Sequence, residues 1–321
     1  MAAAAWTWLS SKPNVEAGGQ EPDPAEAPVA IRCVVLVVEL ALSSGAAFLL
    51  LLTSSVMGTL VRGLLHALLP AVGCTFVSED AVGQVCEAAA FGWGLVTFMS
   101  WFFQRPKLDL VRRLTGFGWR GVKTCVASVV LHVVALMALA LWQRQAEAPA
   151  LVSWMNVEAA VRRPDGSVAS VEILQSLLLA PMKEELFFRG VIVLVAINRL
   201  RSVTWSALIS SFLFAAIHLA NVGAQYSGSY VAFQVLWASL VGLFLALKLA
   251  VSGSLVECFV LHGINNLFAF AVAKTTAMDV TQPIVCVSVL VALAIYSVAI
   301  VRQFQLLPRT ARSDTAGLKD R

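Results

Sequence analysis

Acidic, basic and amide side chains occur inside three strongly apolar stretches of this sequence. An ionisable side chain within an apolar span costs several kcal/mol and usually marks function. These residues are therefore the first candidates for chemistry. The run APMKEELFFRG carries Glu184, Glu185 and Arg189, FLFAAIHLAN carries Phe214 and His218, and VECFVLHGINN carries His262 and Asn266.

A carboxylate beside an imidazole can hold a water molecule and accept its proton, which is the chemistry of a general base. Glu184 and His218 offer that pair. His262 and Asn266 lie four residues apart on one helix face and both offer N–H donors, which can stabilise the oxyanion of a tetrahedral intermediate. The set predicts amide or ester hydrolysis without a covalent intermediate. The serine-hydrolase motif G-x-S-x-G and the zinc-protease motif H-E-x-x-H are absent from the sequence.

Two other interpretations of these residues stay open. Glu185 and Arg189 are four residues apart and can neutralise each other as a structural ion pair, which leaves Glu184 unexplained about 100° away round the helix. Glu184, His218 and His262 also form a two-histidine, one-carboxylate set of the kind that binds zinc. The missing H-E-x-x-H spacing favours a reaction that needs no cofactor, and the sequence leaves the metal undecided.

The remaining polar residues in apolar stretches receive structural interpretations. We expect His132 and Glu39 to bond neighbouring helices, and Glu257 to be solvated at the end of its span. Ser210 and Ser211 are expected to serve helix packing. The six cysteines form no C-x-x-C pair and are interpreted as buried small apolar residues.

Composition defines the elements that must position these groups. The chain is 59% hydrophobic and 13% charged, whereas soluble domains carry about 25% charged residues. The mean hydropathy is +0.81. We therefore predict an all-α, polytopic transmembrane helix bundle of about eight spans, each needing about 20 apolar residues. The predicted spans are 31–56, 84–103, 121–142, 168–198, 203–221, 229–250, 254–273 and 282–302, with 63–76 as a short re-entrant or interfacial piece.

Charge placement predicts the orientation. The loop after the second span is rich in arginine and lysine, from Arg105 to Lys123, and basic loops face the cytoplasm. An even number of spans then places both termini in the cytoplasm. Glu184 lies about 14 residues below that surface and His218 about 15, so both are about 20 Å deep at about 1.5 Å per residue.

Three short patterns make this sequence resemble the CPBP family of intramembrane proteases, which includes the Ras-converting type of CAAX prenyl endopeptidase. E-E-x-x-x-R appears as Glu184, Glu185 and Arg189, F-x-x-x-H as Phe214 and His218, and H-x-x-x-N as His262 and Asn266. Their order, their spacing and their placement in successive apolar spans agree with the family. The resemblance covers about residues 168–273.

The resemblance implies an eight-helix membrane fold and glutamate-dependent proteolysis, although the family is often labelled metalloprotease. It implies that Glu184 and His218 activate water and that His262 and Asn266 bind the oxyanion. Glu185, Arg189 and Phe214 would support them. The implied substrate is a lipidated or membrane-embedded polypeptide, in particular a prenylated CAAX protein losing its last three residues. Nucleic acid is not an expected partner.

Three alternatives remain: a family member with another membrane substrate, a transporter, or a non-enzymatic scaffold. The expected membrane is the endoplasmic reticulum in a eukaryote or the inner membrane in a bacterium. We divide the chain into a disordered N-terminal tail (1–28), N-terminal helices (29–165) with a basic loop (104–123) and a polar loop (143–167), a catalytic core (166–275), a last helix (276–303) and a basic C-terminal tail (304–321).

Overall fold

The computed structural model describes residues 28–71, 78–115, 119–144, 162–163, 165–222, 228–272 and 283–307. The described residues do not include most of the predicted N-terminal and C-terminal tails, Cys74, or residues 145–161 of the predicted polar loop. In the described ranges the regular structure is helical, and β structure is limited to isolated bridges such as Arg162 with Val168. The predicted all-α membrane bundle is confirmed.

Nine helical elements follow one another in the described chain. The helices are α1 (Val29–Leu68), α2 (Glu79–Phe102), α3 (Lys107–Leu114), α4 (Trp119–Arg144), α5 (170–200), α6 (Val203–Ala216, continued by a 3₁₀ turn Ile217–Asn221), α7 (Gly228–Ser252), α8 (Leu255–Val272) and α9 (Pro283–Leu306). All except α3 coincide with a predicted span. The short α3 lies inside the predicted basic loop and buries Leu110 and Leu114.

Five helices of the described chain are long and apolar enough to cross a membrane: Val29–Leu68, Glu79–Phe102, Val203–Asn221, Val231–Ser252 and Val289–Leu306. A shorter apolar helix covers Cys125–Ala138. Large apolar side chains such as Phe212 (71% exposed) and Leu60 (68%) lie on the outer surface of the bundle. In water such a surface would be unfavourable, whereas lipid accommodates it. The protein is an integral membrane protein.

The antiparallel pair of α1 and α2 is held by glycine contacts. A Cβ on Gly58 would lie 2.8 Å from the carbonyl oxygen of Gly83, and one on Gly94 would lie 2.6 Å from Leu50 Cδ2. At Gly58 only glycine allows the backbones to approach so closely, whereas at Gly94 a larger residue would require the Leu50 side chain to move. With 40 residues, α1 is about 60 Å long, about twice the thickness of the hydrocarbon core.

The predicted re-entrant piece at 63–76 is not a separate element in its described part. Residues 63–68 are the last turns of α1, which continues because no residue before Leu69 interrupts the helix. Leu69 still has helical geometry and donates to Leu65 O, but Pro70 follows directly and has no N–H to continue the helical hydrogen bonds. The end of α1 therefore lies further along the chain than the hydropathy pattern predicted.

The protein core lies around α7 and the second half of α5. Leu245, Ala246 and Leu247 of α7 have no exposed surface, and Val191 and Val195 of α5 are equally buried. Both segments are buried because they pack against other helices on several sides. They form the closely packed part of the bundle beside the polar residues of α5, α6 and α8.

A turn immediately before α5 fixes where this helix begins. Gly166 has φ +81°, which only glycine adopts readily, and Arg163 pairs with Glu172 in the first turn of the helix at 3.0 Å. Ser167 donates to Asp165 from its hydroxyl and its backbone N–H, and these hydrogen bonds lower the pKa of the Asp165 carboxyl. The start of α5 is therefore set by local polar contacts.

Candidate active site

The α5 helix is irregular on both sides of the two glutamates. A π-helical turn, Gln175–Leu179, precedes the segment Ala180–Glu185, and a second one, Leu186–Ile192, follows it. Each π turn inserts an extra residue, widens the helix and is frequent at functional sites. Glu184 and Glu185 therefore lie on a short regular segment whose rotation is set by the turns on either side.

Glu185 is completely buried and holds two cationic or hydrogen-bonding partners. Its Oε1 lies 2.9 Å from Arg189 Nη1 and 2.7 Å from His262 Nδ1. Arg189 is also fully buried, donates to the carbonyl oxygen of Gly242 at 3.3 Å, and has its guanidinium 4.5 Å from the ring centroid of Phe214. The structural ion pair considered from sequence is present, and it is connected directly to His262.

The imidazole of His262 lies between two carboxylates. A carboxylate only accepts, so Nδ1–H donates to Glu185, and Nε2 then lies 3.5 Å from Glu184 Oε2. The Glu184 side chain is 32% exposed, whereas that of His262 is 4% exposed. Glu184 is thus the accessible carboxylate of the cluster, and Glu185 is the enclosed one.

His218 joins this cluster through an aromatic ring. The change from α-helix to 3₁₀ geometry at Ile217 coincides with a hydrogen bond from His218 Nδ1 to the carbonyl oxygen of Phe214 at 3.0 Å. The Phe214 ring contacts both His218 and His262, at 5.2 and 5.5 Å between centroids. Among the described residues, no hydrogen bond or ion pair links His218 directly to Glu184. The sequence predicts these two residues as partners because they lie at a similar depth below the membrane surface.

Asn266 lies one turn beyond His262 on α8. Its Nδ2 donates to the carbonyl oxygen of Ser176 at 3.0 Å, and its Oδ1 accepts from Asn265 Nδ2 at 3.4 Å. The structure therefore brings Glu184, Glu185, Arg189, Phe214 and His262 into one contact network, and His218 joins it through its hydrogen bond to the Phe214 carbonyl. Asn266 lies on the same helix as His262, but the hydrogen bonds described for it go to Ser176 and Asn265, outside this network.

The residues with structural interpretations mostly have the expected partners. Ser210 donates to the Phe188 carbonyl, Ser211 to that of Ser239, and both bonds join neighbouring helices. Glu39 bonds Arg199 of α5. His132 bonds the hydroxyl of Tyr296 on α9. These predictions are confirmed.

Glu257 and the cysteines require corrections. Glu257 is buried rather than solvated, because Lys248 lies 3.0 Å away across the tight turn that joins α7 to α8. The ion pair allows both charges to leave water. The five cysteines described are free; Cys125 and Cys258 are buried as predicted, but Cys33 and Cys286 lie on the outer surface. A lipid-facing helix surface accommodates a thiol as readily as the core does.

No set of three His, Cys, Asp or Glu side chains within the described ranges is arranged to hold a metal ion. Sequence reasoning missed the contributions of Ser176, Gly242 and Asn265, which contact the candidate residues. It also missed Glu87 of α2, whose Oε1 lies 2.9 Å from Lys183 Nζ, next to Glu184. The sequence marks Gly242 only as a glycine, Asn265 only as one of two adjacent asparagines, and Glu87 only as an isolated acid in an apolar span.

The fold and the contact network define a polytopic helical membrane protein with a buried carboxylate–imidazole cluster formed by α5, α6 and α8. Residues 166–268 match the sequence family described as type II CAAX prenyl endopeptidase Rce1-like, and this stretch contains all seven candidate residues. The predicted resemblance to the CAAX protease family is confirmed for this stretch. Comparison with curated proteins and with solved structures gave no match.

Proposed function

We propose that this protein is an intramembrane endopeptidase that hydrolyses a peptide bond with a water molecule activated by Glu184 and His218. The observation that carries the proposal is the position of His262 between Glu184 and Glu185, inside the stretch that matches the CAAX endopeptidase family. An ion-pair network that served packing alone would not require a partly exposed second carboxylate.

Glu184 is proposed to be the general base. It is the exposed carboxylate of the cluster and has no arginine partner in the described chain, so its oxygens can accept a proton from water. The Nδ1–H of His218 is committed to a backbone carbonyl, which leaves the lone pair of Nε2 to orient the same water. The proton then passes to the leaving amine, and Glu184 returns to its ionised form.

His262 and Asn266 are proposed to bind the oxyanion. In this role His262 keeps Nδ1–H on Glu185 and uses an Nε2–H as the donor to the developing oxyanion. One N–H of Asn266 remains after the bond to Ser176. Glu185 and Arg189 act by orienting His262.

The proposed substrate is a prenylated CAAX protein that loses its C-terminal tripeptide, and the proposed partners include membrane lipids but no nucleic acid. A prenyl chain enters the bilayer with about 0.8 kcal/mol per buried CH₂ and so brings the peptide near a membrane-embedded site. We further propose that both termini face the cytoplasm. The connection from α2 to α4 includes Arg105, Lys107 and Arg112, and basic connections face that side. The membrane would be the endoplasmic reticulum or a bacterial inner membrane.

The test is cleavage of a farnesylated CAAX peptide by the purified full-length protein in lipid. Glu184→Gln should lower kcat by about 10²- to 10⁴-fold, since it removes a general base without changing shape. Glu79→Gln is the matched control. It also removes a carboxylate that pairs with a histidine, His66, but this pair lies at the first residue of α2 and outside the candidate site. Wild-type turnover by Glu184→Gln would contradict the mechanism.

Two additions to this assay test the finer parts of the proposal. A chelator titration should leave the rate unchanged, because the proposed reaction needs no metal; loss of activity that zinc restores would contradict this. The same peptide without its prenyl group should be cleaved poorly. Equal cleavage of both peptides would instead indicate a family member with another membrane substrate.

A further inference from the structure

The carbonyl oxygen of Ser176 is left without its helical donor by a proline. In the first π turn of α5, the N–H of Ala180 bonds Gln175 O, five residues earlier. In the same register Ser176 O would accept from residue 181. That residue is Pro181, which has no N–H. A carbonyl without a donor is costly in an apolar span, so this partly buried oxygen needs a donor from elsewhere.

Asn266 of α8 supplies that donor. Its Nδ2 lies 3.0 Å from Ser176 O, and Gly263, one turn earlier on α8, allows the two helices to approach. A Cβ on Gly263 would lie only 2.8 Å from the carbonyl oxygen of Leu177. Helix α8 therefore meets the opened turn of α5 through its backbone, and the Asn266 amide fills the gap that Pro181 creates.

A second contact fixes the other end of the Asn266 amide. The indole N–H of Trp237 can only donate, and it lies 3.1 Å from Asn265 Oδ1. The NH₂ group of Asn265 is thereby turned toward Asn266 Oδ1, at 3.4 Å. The oxygen of Asn266 faces Asn265 and its NH₂ group faces Ser176. Neither amide can flip without losing a hydrogen bond.

We infer that Pro181, Asn265 and Trp237 are positioning residues that hold the Asn266 amide at both ends and leave it one uncommitted N–H for the oxyanion. This inference rests on the proposed function and adds to it residues outside the three sequence motifs. Pro181 acts through the carbonyl that it leaves free, and Trp237 acts through Asn265. The N–H bonded to Ser176 sets the direction of its geminal partner, because the amide group is planar.

The experiment measures kcat and KM for Pro181→Ala and Asn265→Asp with the farnesylated peptide. Alanine restores the helical N–H, which competes for Ser176 O. Aspartate keeps the acceptor for Trp237 but places an oxygen against Asn266 Oδ1. Both variants should lower kcat by about 10- to 100-fold with little change in KM, as expected when a reacting group is misplaced by about 1 Å.

Controls separate positioning from folding. Leu178→Ala, on the outer face of the same turn with 49% of its surface exposed, should keep wild-type kcat. Pro181→Ala should not lower Tm, because alanine suits a helix better than proline. In an Asn266→Ala background, neither substitution should reduce kcat further, since the residue that they position is gone.

Two results would overturn the inference: wild-type kcat in both variants, or losses of the same size with and without Asn266. Glu184→Gln in the same assay separates this failure from failure of the proposed function. Loss of turnover in Glu184→Gln with wild-type turnover in Pro181→Ala would reject the positioning role alone. Wild-type turnover in Glu184→Gln would reject the function on which the inference rests.

Discussion

The two adjacent glutamates differ at the residue scale in what surrounds them. Glu185 is enclosed with Arg189 and His262, while the Glu184 side chain keeps 32% of its surface accessible. Removing one partner of a buried ion pair leaves the other charge uncompensated, which costs about 3–5 kcal/mol. We therefore expect the two adjacent glutamates to have separate roles, Glu185 in stability and orientation and Glu184 in the proposed chemistry.

This difference predicts opposite outcomes for two identical substitutions. Glu185→Gln should reduce the free energy of unfolding by about 3–5 kcal/mol, because the charge of Arg189 stays buried without a counter-charge. Glu184→Gln should leave Tm unchanged while it removes activity. Thermal unfolding in detergent measures both effects. Equal Tm values for the two variants would show that Arg189 has another counter-charge.

Phe214 has a role that follows from its four ring and cation contacts. Its ring contacts Arg189, His218, His262 and Phe188. Phe214→Leu should keep the side chain apolar but remove the cation–π contact, a loss of about 0.5–2 kcal/mol. The rate of peptide cleavage should fall as both imidazoles gain freedom. The matched control is Phe212→Leu, whose side chain faces outward; an equal loss of activity in both variants would argue against this role.

At the scale of elements, the irregularity of α5 and the glycine contacts of α1 with α2 determine where side chains meet. The π turns flank Glu184 and Glu185, whose side chains meet His262 of α8. The close approach of α1 to α2 at Gly58 places Glu87 where it reaches Lys183, the neighbour of Glu184. Helices outside the family match therefore support the segment that carries the candidate site.

The glycine contact predicts a position-specific effect of one methyl group. Gly58→Ala should destabilise the protein by about 1–3 kcal/mol, because the new Cβ would overlap Gly83 O and Glu87 Cβ. Gly45→Ala on the same helix meets nothing within 4 Å and should be neutral or stabilising by up to about 1 kcal/mol. Thermal unfolding of both variants is the measurement. A destabilising Gly45→Ala together with a neutral Gly58→Ala would contradict the described packing.

At the scale of the whole molecule, polar contacts within the apolar bundle join its N-terminal helices to the segment that matches the family. Glu39 of α1 bonds Arg199 at the end of α5, and Glu87 of α2 bonds Lys183. Contacts between apolar helix faces favour no single register strongly, because lipid contacts the same faces equally well. Ion pairs fix the register because a displaced charge would be buried alone.

A charge exchange tests this register. Glu39→Arg should lower Tm, since two arginines would then face each other, and Arg199→Glu in the same chain should restore part of the loss. Thermal unfolding of the two single variants and the double variant gives the coupling free energy. Purely additive effects would contradict a direct Glu39–Arg199 contact.

The fold class and the candidate residues could be predicted from the amino-acid sequence. Long apolar runs must be helical in lipid, because the backbone has to satisfy its own hydrogen bonds there. Ionisable side chains are unfavourable in an apolar span, so Glu184, His218 and His262 could be recognised as candidate functional residues. Both inferences depend on local properties, which a sequence states directly. The ends of helices were less accurate, as α1 shows.

Which polar groups meet could not be predicted from the sequence and became visible in the packed helices. It paired His262 with Glu184 and Glu185, Glu257 with Lys248, and Asn266 with Ser176. These contacts depend on the rotation and register of each helix about its neighbours. Helices that are apolar on every face carry no periodic signal for their rotation, and the π turns at 175–179 and 186–192 change it locally. The pairings therefore become fixed only when the helices pack together.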